Sequence, residues 1–311
     1  MVCDVGSGAN GFHRDQRELR VDRVSIIGVV EGDTGTAALT VTWTCLVLSK
    51  SADASEACST PRGQGAVWAM IAQSLHPWRV SFQQATEIQN ALASQVLTAP
   101  LPPRPRLVAG ADVAYSRRTH RVYAAVVVVA LPSLDTVETV GVARRASFPY
   151  IPGLLSFREL PPLLVAFERL QHRPDVVVCD GQGLAHPRRF GLACHAGLLL
   201  DLPSIGCAKT RLVGEHRTVG SRRGAAVSLF LDGSPVGAAV RTRKGVKPVF
   251  VSPGHRADIG SAVELVLALA TRYRLPEPQR RAHQATVALY RRDQGRQASP
   301  ARRYPSYVST R

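Results

Sequence analysis

From Ser81 to Val96 the apolar positions Ala85, Ile88, Leu92 and Val96 recur at three- and four-residue spacing. This stretch predicts an amphipathic helix, with Trp78 packing at its entry. A proline-rich linker, Pro100-Leu-Pro-Pro-Arg-Pro105, separates it from three apolar runs at 107–114, 122–131 and 136–148. Runs of that length read as buried strands, and the short breaks between them predict an antiparallel meander. After residue 150 the period changes. Helical patterns cover about 156–171, 190–200 and 258–273, and strand-like runs fall at 175–179, 203–208 and near 236–242 and 248–252. A last helical piece follows Leu275-Pro-Glu-Pro278 and ends near Arg292.

Three meander strands followed by αβα units predict an α/β fold: a mixed β-sheet with helices on both faces, in the order of a ribonuclease H-like core. In such a core, acidic residues from the first and fourth strands meet at the centre. The regular pattern marks 71–292 as one domain. Residues 1–70 differ, being punctuated by Gly, Ser, Asp and Thr, and their long apolar stretch, 39–48, alternates like a strand without obvious partners. They are expected to be a poorly ordered extension or an over-long start, with Met70 or a nearby non-Met codon as the native start. The end of the chain, 293–311, is rich in Arg, Ser and Pro and is expected to be a disordered basic tail.

Charge alters this picture more than composition does. The 311 residues hold 39 Lys plus Arg against 23 Asp plus Glu, a formal charge of +16. That excess favours nucleic acid, an acidic surface or anionic lipid as partner, although a high arginine background from genomic composition gives the same number. Lysine is rare, at positions 50, 209, 244 and 247, so each one is informative. The six cysteines, Cys3, Cys45, Cys58, Cys179, Cys194 and Cys207, form no C-x-x-C pair, which argues against a zinc knuckle or redox motif and for a reduced, cytoplasmic setting. No apolar stretch approaches the length of a membrane span, and no signal-peptide core is visible at the start.

Within this basic chain, acidic residues stand where strands are expected to end. Asp112 closes Leu107-Val-Ala-Gly-Ala and Asp180 closes Val176-Val-Val-Cys; Glu159 follows Leu155-Ser-Phe-Arg, and Asp258 follows Pro253-Gly-His. Strand ends are where open α/β sheets place ligands, although a single Asp there is more often a turn former or helix cap. Several carboxylates inside a cationic protein point to a hard divalent metal held against a phosphodiester. The run after Asp180, through Gly183, His186, Arg188 and Arg189, is too polar and glycine-rich for packing alone. His186 is a candidate for a phosphate or metal-water contact, against a structural histidine. The two arginines are candidates for phosphate binding, against simple solvation. Tyr150, between Pro149 and Pro152, is either a rigid exposed platform for stacking or wedging into a duplex, or a packed core turn.

The segments PYIPGLLSFRE, DGQGLAHPRRFGLACH, IGCAKTRL and RTRKGVKPVFVSPGHRADI resemble the endonuclease V family of deoxyinosine 3′-endonucleases, over about Gln73 to His283. The resemblance implies a magnesium-dependent repair endonuclease, with manganese as substitute. Such an enzyme cuts the second phosphodiester 3′ to a deaminated purine and leaves a 3′-hydroxyl and a 5′-phosphate. By matching positions it implies Asp112, Glu159 and Asp180 as metal ligands, Asp258 as a further acidic member and Lys209 as the active-site lysine. Tyr150 is implied as the wedge that fills the gap left by an extruded base. Pro149, Ile151, Pro152, Gly153, Leu155 and Gly183 are implied around the lesion, and His186, Arg188, Arg189, Lys247 and His255 near the DNA strand. Cys194 stands where the family usually has Ser. The implied partner is DNA containing deaminated bases, with inosine RNA as an alternative substrate and a monomer as the default state. A non-catalytic binder of damaged DNA is the rival from another class, but it leaves the four acids unexplained.

Overall fold

The computed structural model describes residues 73–298. The expectations for residues 1–70, including the strand-like stretch 39–48 and a start at Met70, lie outside the described residues, as does the tail after Ala298. The described chain runs α1 (Phe82–Ala93), β1 (Leu107–Tyr115), β2 (Arg121–Ala130), β3 (Thr136–Arg145), α2 (Leu155–Glu168), β4 (Val176–Cys179) and α3 (Leu192–Leu200). It continues through β5 (Ser204–Ala208), β6 (Ala226–Leu231), β7 (Ser234–Val240), β8 (Val249–Pro253), α4 (Ile259–Leu269) and α5 (Glu277–Ala298). All eight strands form one sheet in the order β3-β2-β1-β4-β5-β8-β7-β6. The meander β1–β2–β3 is antiparallel as the short breaks between the runs predict, and β4 and β5 join it in parallel.

Alternation along the central strands decides which helix covers which face. Ala109, Ala111, Ala124, Val126, Val128 and Val177 face one way and pack with α2 and α3, whereas Val108, Val127, Val129, Val176 and Val178 face α4 and α5. Every residue of α3 is buried, the mostly apolar helix being enclosed on all sides and its one polar side chain, His195, bonded to the Ser156 hydroxyl. At Gly110 a Cβ would lie 2.1 Å from the Pro278 carbonyl carbon, so the absence of a side chain lets α5 seat directly on β1. The start of α1 is fixed by a reciprocal capping box: the Ser81 hydroxyl accepts from Gln84 N–H, and the Gln84 amide oxygen accepts from Ser81 N–H.

Several details depart from the pattern. Strand β6 has no counterpart in the sequence reading. It is an edge strand with an irregular, mostly exposed face, so its hydrophobic alternation is weak. The signal that would have found it is the Asp232-Gly233 pair, whose φ values of 50° and 74° give the mirror-image turn a tight hairpin requires. Helix α5 runs to Ala298, six residues past the expected end at Arg292, so the basic tail does not begin at 293. Asp112 lies inside β1 rather than at its end, because the strand continues to Tyr115. Glu159 lies in the second turn of α2, not at a strand end.

Candidate active site

Strands β1 and β4 run parallel side by side, with Ala111 opposite Cys179 and Asp180 N–H donating to the Ala111 carbonyl at 3.0 Å. This register brings Asp112 and Asp180 together at the centre of the sheet, close enough that each carboxylate feels the other. From the α5 side the Thr286 hydroxyl donates to Asp112 Oδ2 at 2.8 Å, and His283 Nδ1 lies 3.2 Å from the same oxygen. Glu159 enters from α2. Lys209, just past β5, places its ammonium 2.5 Å from Asp180 Oδ2.

The electrostatics show excess negative charge. Burial, and then the Asp180 carboxylate beside it, push Asp112 up to about 6. Glu159 goes to about 8, first through desolvation and then through Asp180 and Asp112, against the pull of Arg158. Glu159 is half-buried and lines the cleft described below. These carboxyls are held near one another with too little positive charge to balance them, the arrangement expected where a cation belongs. Among the described residues no three or more His, Cys, Asp or Glu side chains, as they stand, are grouped closely enough to hold a metal ion. The donor set nevertheless fits a hard divalent ion: three carboxylates, no thiolate, and unrelieved charge.

A cleft of about 430 Å³ opens over Glu159 and Asp180. Gln89, Tyr150, Pro152, Gly153, Leu155 and Ser156 form one wall, and the segment from Lys209 to Leu212 forms the other. Its size is that of a small-molecule site. Tyr150 is 65% exposed at the rim, so its side chain is not packed into a core turn. Ile151 packs on the cluster of Ala85, Phe148, Leu154 and Phe157, anchoring the loop behind it, while Pro149 and Pro152 are exposed. Gly153 has a φ of 81°, a left-handed conformation that favours glycine.

His186 and Arg188 serve this loop rather than facing outward. His186 Nε2 donates to the Gly153 carbonyl at 2.9 Å, while its Nδ1 accepts from Arg188 N–H. Arg188 Nη2 donates to the same carbonyl at 2.6 Å, and its Nε donates to the buried Gln89 amide oxygen at 2.5 Å. Burial and the adjacent guanidinium push His186 down to about 4, so it is neutral and both ring nitrogens are engaged by backbone. His186 thus braces the loop and at the same time lines the cleft.

The structure disperses other expected site residues. Asp258 is the N-cap of α4, its Oδ1 accepting from both the N–H and the hydroxyl of Ser261, and it is not among the residues lining the cleft. His255 is buried, and its Nδ1 accepts from Leu97 N–H. Arg189 donates to the Leu231 carbonyl at 3.1 Å. Gly183 is required by packing, since a Cβ there would lie 1.9 Å from the Pro253 carbonyl oxygen. Lys247 is exposed, and its carbonyl accepts from Arg274.

Sequence reasoning missed four residues that touch or brace the site. His283 and Thr286, one turn apart on α5, reach Asp112; their i,i+3 spacing put them on one face, but nothing in the pattern aimed that face at β1. Arg274 donates to the carbonyls of Lys209 at 2.6 Å, Pro248 at 2.8 Å and Lys247 at 2.9 Å, tying down the backbone that carries the lysine. Arg158, buried next to Glu159, donates to the Phe148 carbonyl and lies 4.1 Å from the centre of the Tyr115 ring.

A mixed sheet flanked by helices, with acidic residues meeting where β1 and β4 adjoin, is the core of a ribonuclease H-like nuclease. A family model described as Endonuclease V matches residues 90–284. Endonuclease V of Roseiflexus castenholzii is 51% identical over 207 residues, covering 67% of this chain and 92% of that one. The solved endonuclease V of Streptomyces avermitilis is 42% identical with a TM-score of 0.67, over 70% of this chain and 96% of that one. That of Ciona intestinalis, in complex with a 24mer DNA containing an inosine followed by a ribo-adenosine, shares the fold at 24% identity and a TM-score of 0.60, over 68% and 98% of the two chains. The chain belongs to the endonuclease V family.

Proposed function

We propose that this nuclease is a divalent-metal-dependent repair endonuclease that recognises a deaminated purine, foremost deoxyinosine, in DNA. It hydrolyses the second phosphodiester 3′ to the lesion, leaving a 3′-hydroxyl and a 5′-phosphate. The observation that carries the reading is the cluster of Asp112, Glu159 and Asp180, its charge unbalanced, beside Lys209 at the floor of a cleft rimmed by Tyr150. A purely DNA-binding protein gains nothing from carboxylates that repel phosphate.

Asp112, Glu159 and Asp180 would hold Mg²⁺ or Mn²⁺, which when bound neutralises phosphate charge and acidifies the attacking water. Lys209 presents a compact ammonium to the phosphoryl oxygens as charge builds on them. Thr286 and His283 hold the Asp112 carboxylate in place. Tyr150, on its braced loop, fills the space vacated by the extruded base, and the cleft between that loop and the 209–212 segment receives the base. Hypoxanthine suits extrusion because it pairs poorly, so unstacking it costs less than removing a normal base.

Among the described residues no helix is long and apolar enough to cross a membrane. The test is incision of a duplex carrying one deoxyinosine, with and without Mg²⁺, with the product ends mapped, alongside a matched inosine RNA. Mg²⁺-dependent nicking at the second 3′ bond is expected. Cleavage of the RNA in preference would transfer the assignment to a ribonuclease, and binding without cleavage in Mg²⁺ or Mn²⁺ would refute the catalytic reading.

A further inference from the structure

The turn between β1 and β2 and the end of β3 form a basic surface that no part of the catalytic reading uses. Arg117, Arg118, Arg144 and Arg145 are exposed there, and Arg121 is half-buried among them. In the β2–β3 register Arg121 stands directly opposite Arg145, with Arg144 one step further along. Like charges facing each other across a ladder are destabilising, so folding alone does not favour this pairing. Asp293 of α5 pairs with Arg121, its Oδ2 3.5 Å from Nε, and accepts from the Tyr123 hydroxyl, while Arg117 and Arg145 stand exposed beside that pair. No acidic residue occurs between Glu138 and Glu159.

The position of this surface is informative. Strand β1 carries Asp112 and ends at Tyr115, so the turn lies three residues beyond the carboxylate, roughly 10 Å at the rise of an extended strand. That is about three base-pair steps of duplex. Strand β3 runs from Arg145 straight into the loop that carries Tyr150, and Arg158 joins the two by stacking on Tyr115 and donating to the Phe148 carbonyl. Sheet order puts this surface on the β3 side of the carboxylates and Lys209 on the β5 side.

We infer that the Arg117–Arg121 turn and the Arg144–Arg145 strand end form a platform for the phosphate backbone of one duplex DNA arm, the arm on the wedge side of the lesion. Resting on the reading of the site as a DNA endonuclease, the platform adds the direction in which the duplex crosses the sheet. Its contacts go to backbone phosphates, so it contributes affinity and orientation without reading sequence.

The experiment compares the full chain with an Arg117→Gln/Arg145→Gln double variant and with an Arg173→Gln control at the opposite end of β4. Dissociation constants for a deoxyinosine duplex are measured across a salt series, together with single-turnover incision at saturating enzyme. Two further duplexes each lack one arm beyond the lesion. The double variant should lower the log–log salt slope by about 1.8, two phosphate contacts at about 0.9 each, with the saturating rate within twofold of the parent. On one clipped duplex the double variant and parent should bind alike, and on the other the deficit should persist. Arg173→Gln should leave the slope unchanged. An unchanged slope in the double variant, an equal deficit on both clipped duplexes, or an equal effect of Arg173→Gln would each overturn the platform. If the parent fails to nick inosine DNA, the catalytic reading falls, while the salt slope on plain duplex still decides the platform.

Discussion

Replacing Glu159 by glutamine should stabilise the cation-free protein at alkaline pH while removing its activity. The carboxyl sits at about 8 in the folded protein against an ordinary 4.5, because burial and two neighbouring carboxylates oppose its charge. A group raised on folding holds its proton in the native state where the unfolded chain has lost it. Stability is therefore greatest at low pH and is lost as pH rises through about 8. Linkage between those two values gives a loss of about 2–3 kcal/mol between pH 6 and pH 8.5 from this residue. For a domain of this size that is roughly 5–10 °C of melting temperature. The glutamine variant cannot ionise and should lack this part of the decline. The assay is thermal unfolding followed by circular dichroism, in chelator, at half-unit steps from pH 5.5 to 9. Parallel curves for variant and parent, or a variant that melts below the parent at pH 8.5, would refute the claim that Glu159 carries unrelieved charge. Added Mg²⁺ should raise the parent's melting temperature at pH 8.5 far more than the variant's.

Asp112→Asn or Asp180→Asn should reduce incision by at least about a thousandfold while leaving the circular dichroism spectrum unchanged, since each deletes a proposed ligand without deleting volume; near-parental turnover in Mg²⁺ would place the metal elsewhere. Tyr150→Ala should weaken discrimination between inosine and undamaged duplex more than cleavage of inosine in single strands, where there is no gap to fill; equal losses on both would make Tyr150 a structural residue only. Arg274→Ala should slow saturating incision about tenfold or more by freeing the Lys209 backbone, with Arg274→Lys restoring only part because one ammonium cannot span three carbonyls; full activity in the alanine variant would show that Lys209 is positioned without it.

The periodicities of the chain determined most of the architecture. Continuous apolar runs in 107–148 separated by short breaks specified three antiparallel strands, because so many adjacent valines are buried most simply in a sheet covered on both faces, and the 190–200 stretch read as a helix. Asp112, Glu159 and Asp180 stood out as chemistry because charge beside apolar runs is costly unless it is used, and Lys209 because lysine is rare in this chain and the family resemblance pointed to it. The role of each interruption was settled only by tertiary contact. Asp258 and Asp180 look alike in sequence, each an acid after an apolar segment. One caps α4 through Ser261, while the other meets Asp112 because β1 and β4 lie parallel and in register. The sequence left His186 open between a ligand contact and a structural role, and in the fold both its nitrogens meet backbone; His283 looked like nothing until α5 was laid across β1 over Gly110. Local pattern reports which residues are buried and in what element, because those follow from spacing along one segment. Which charged groups end up within 4 Å of each other depends on how distant segments cross, and no single segment carries that information.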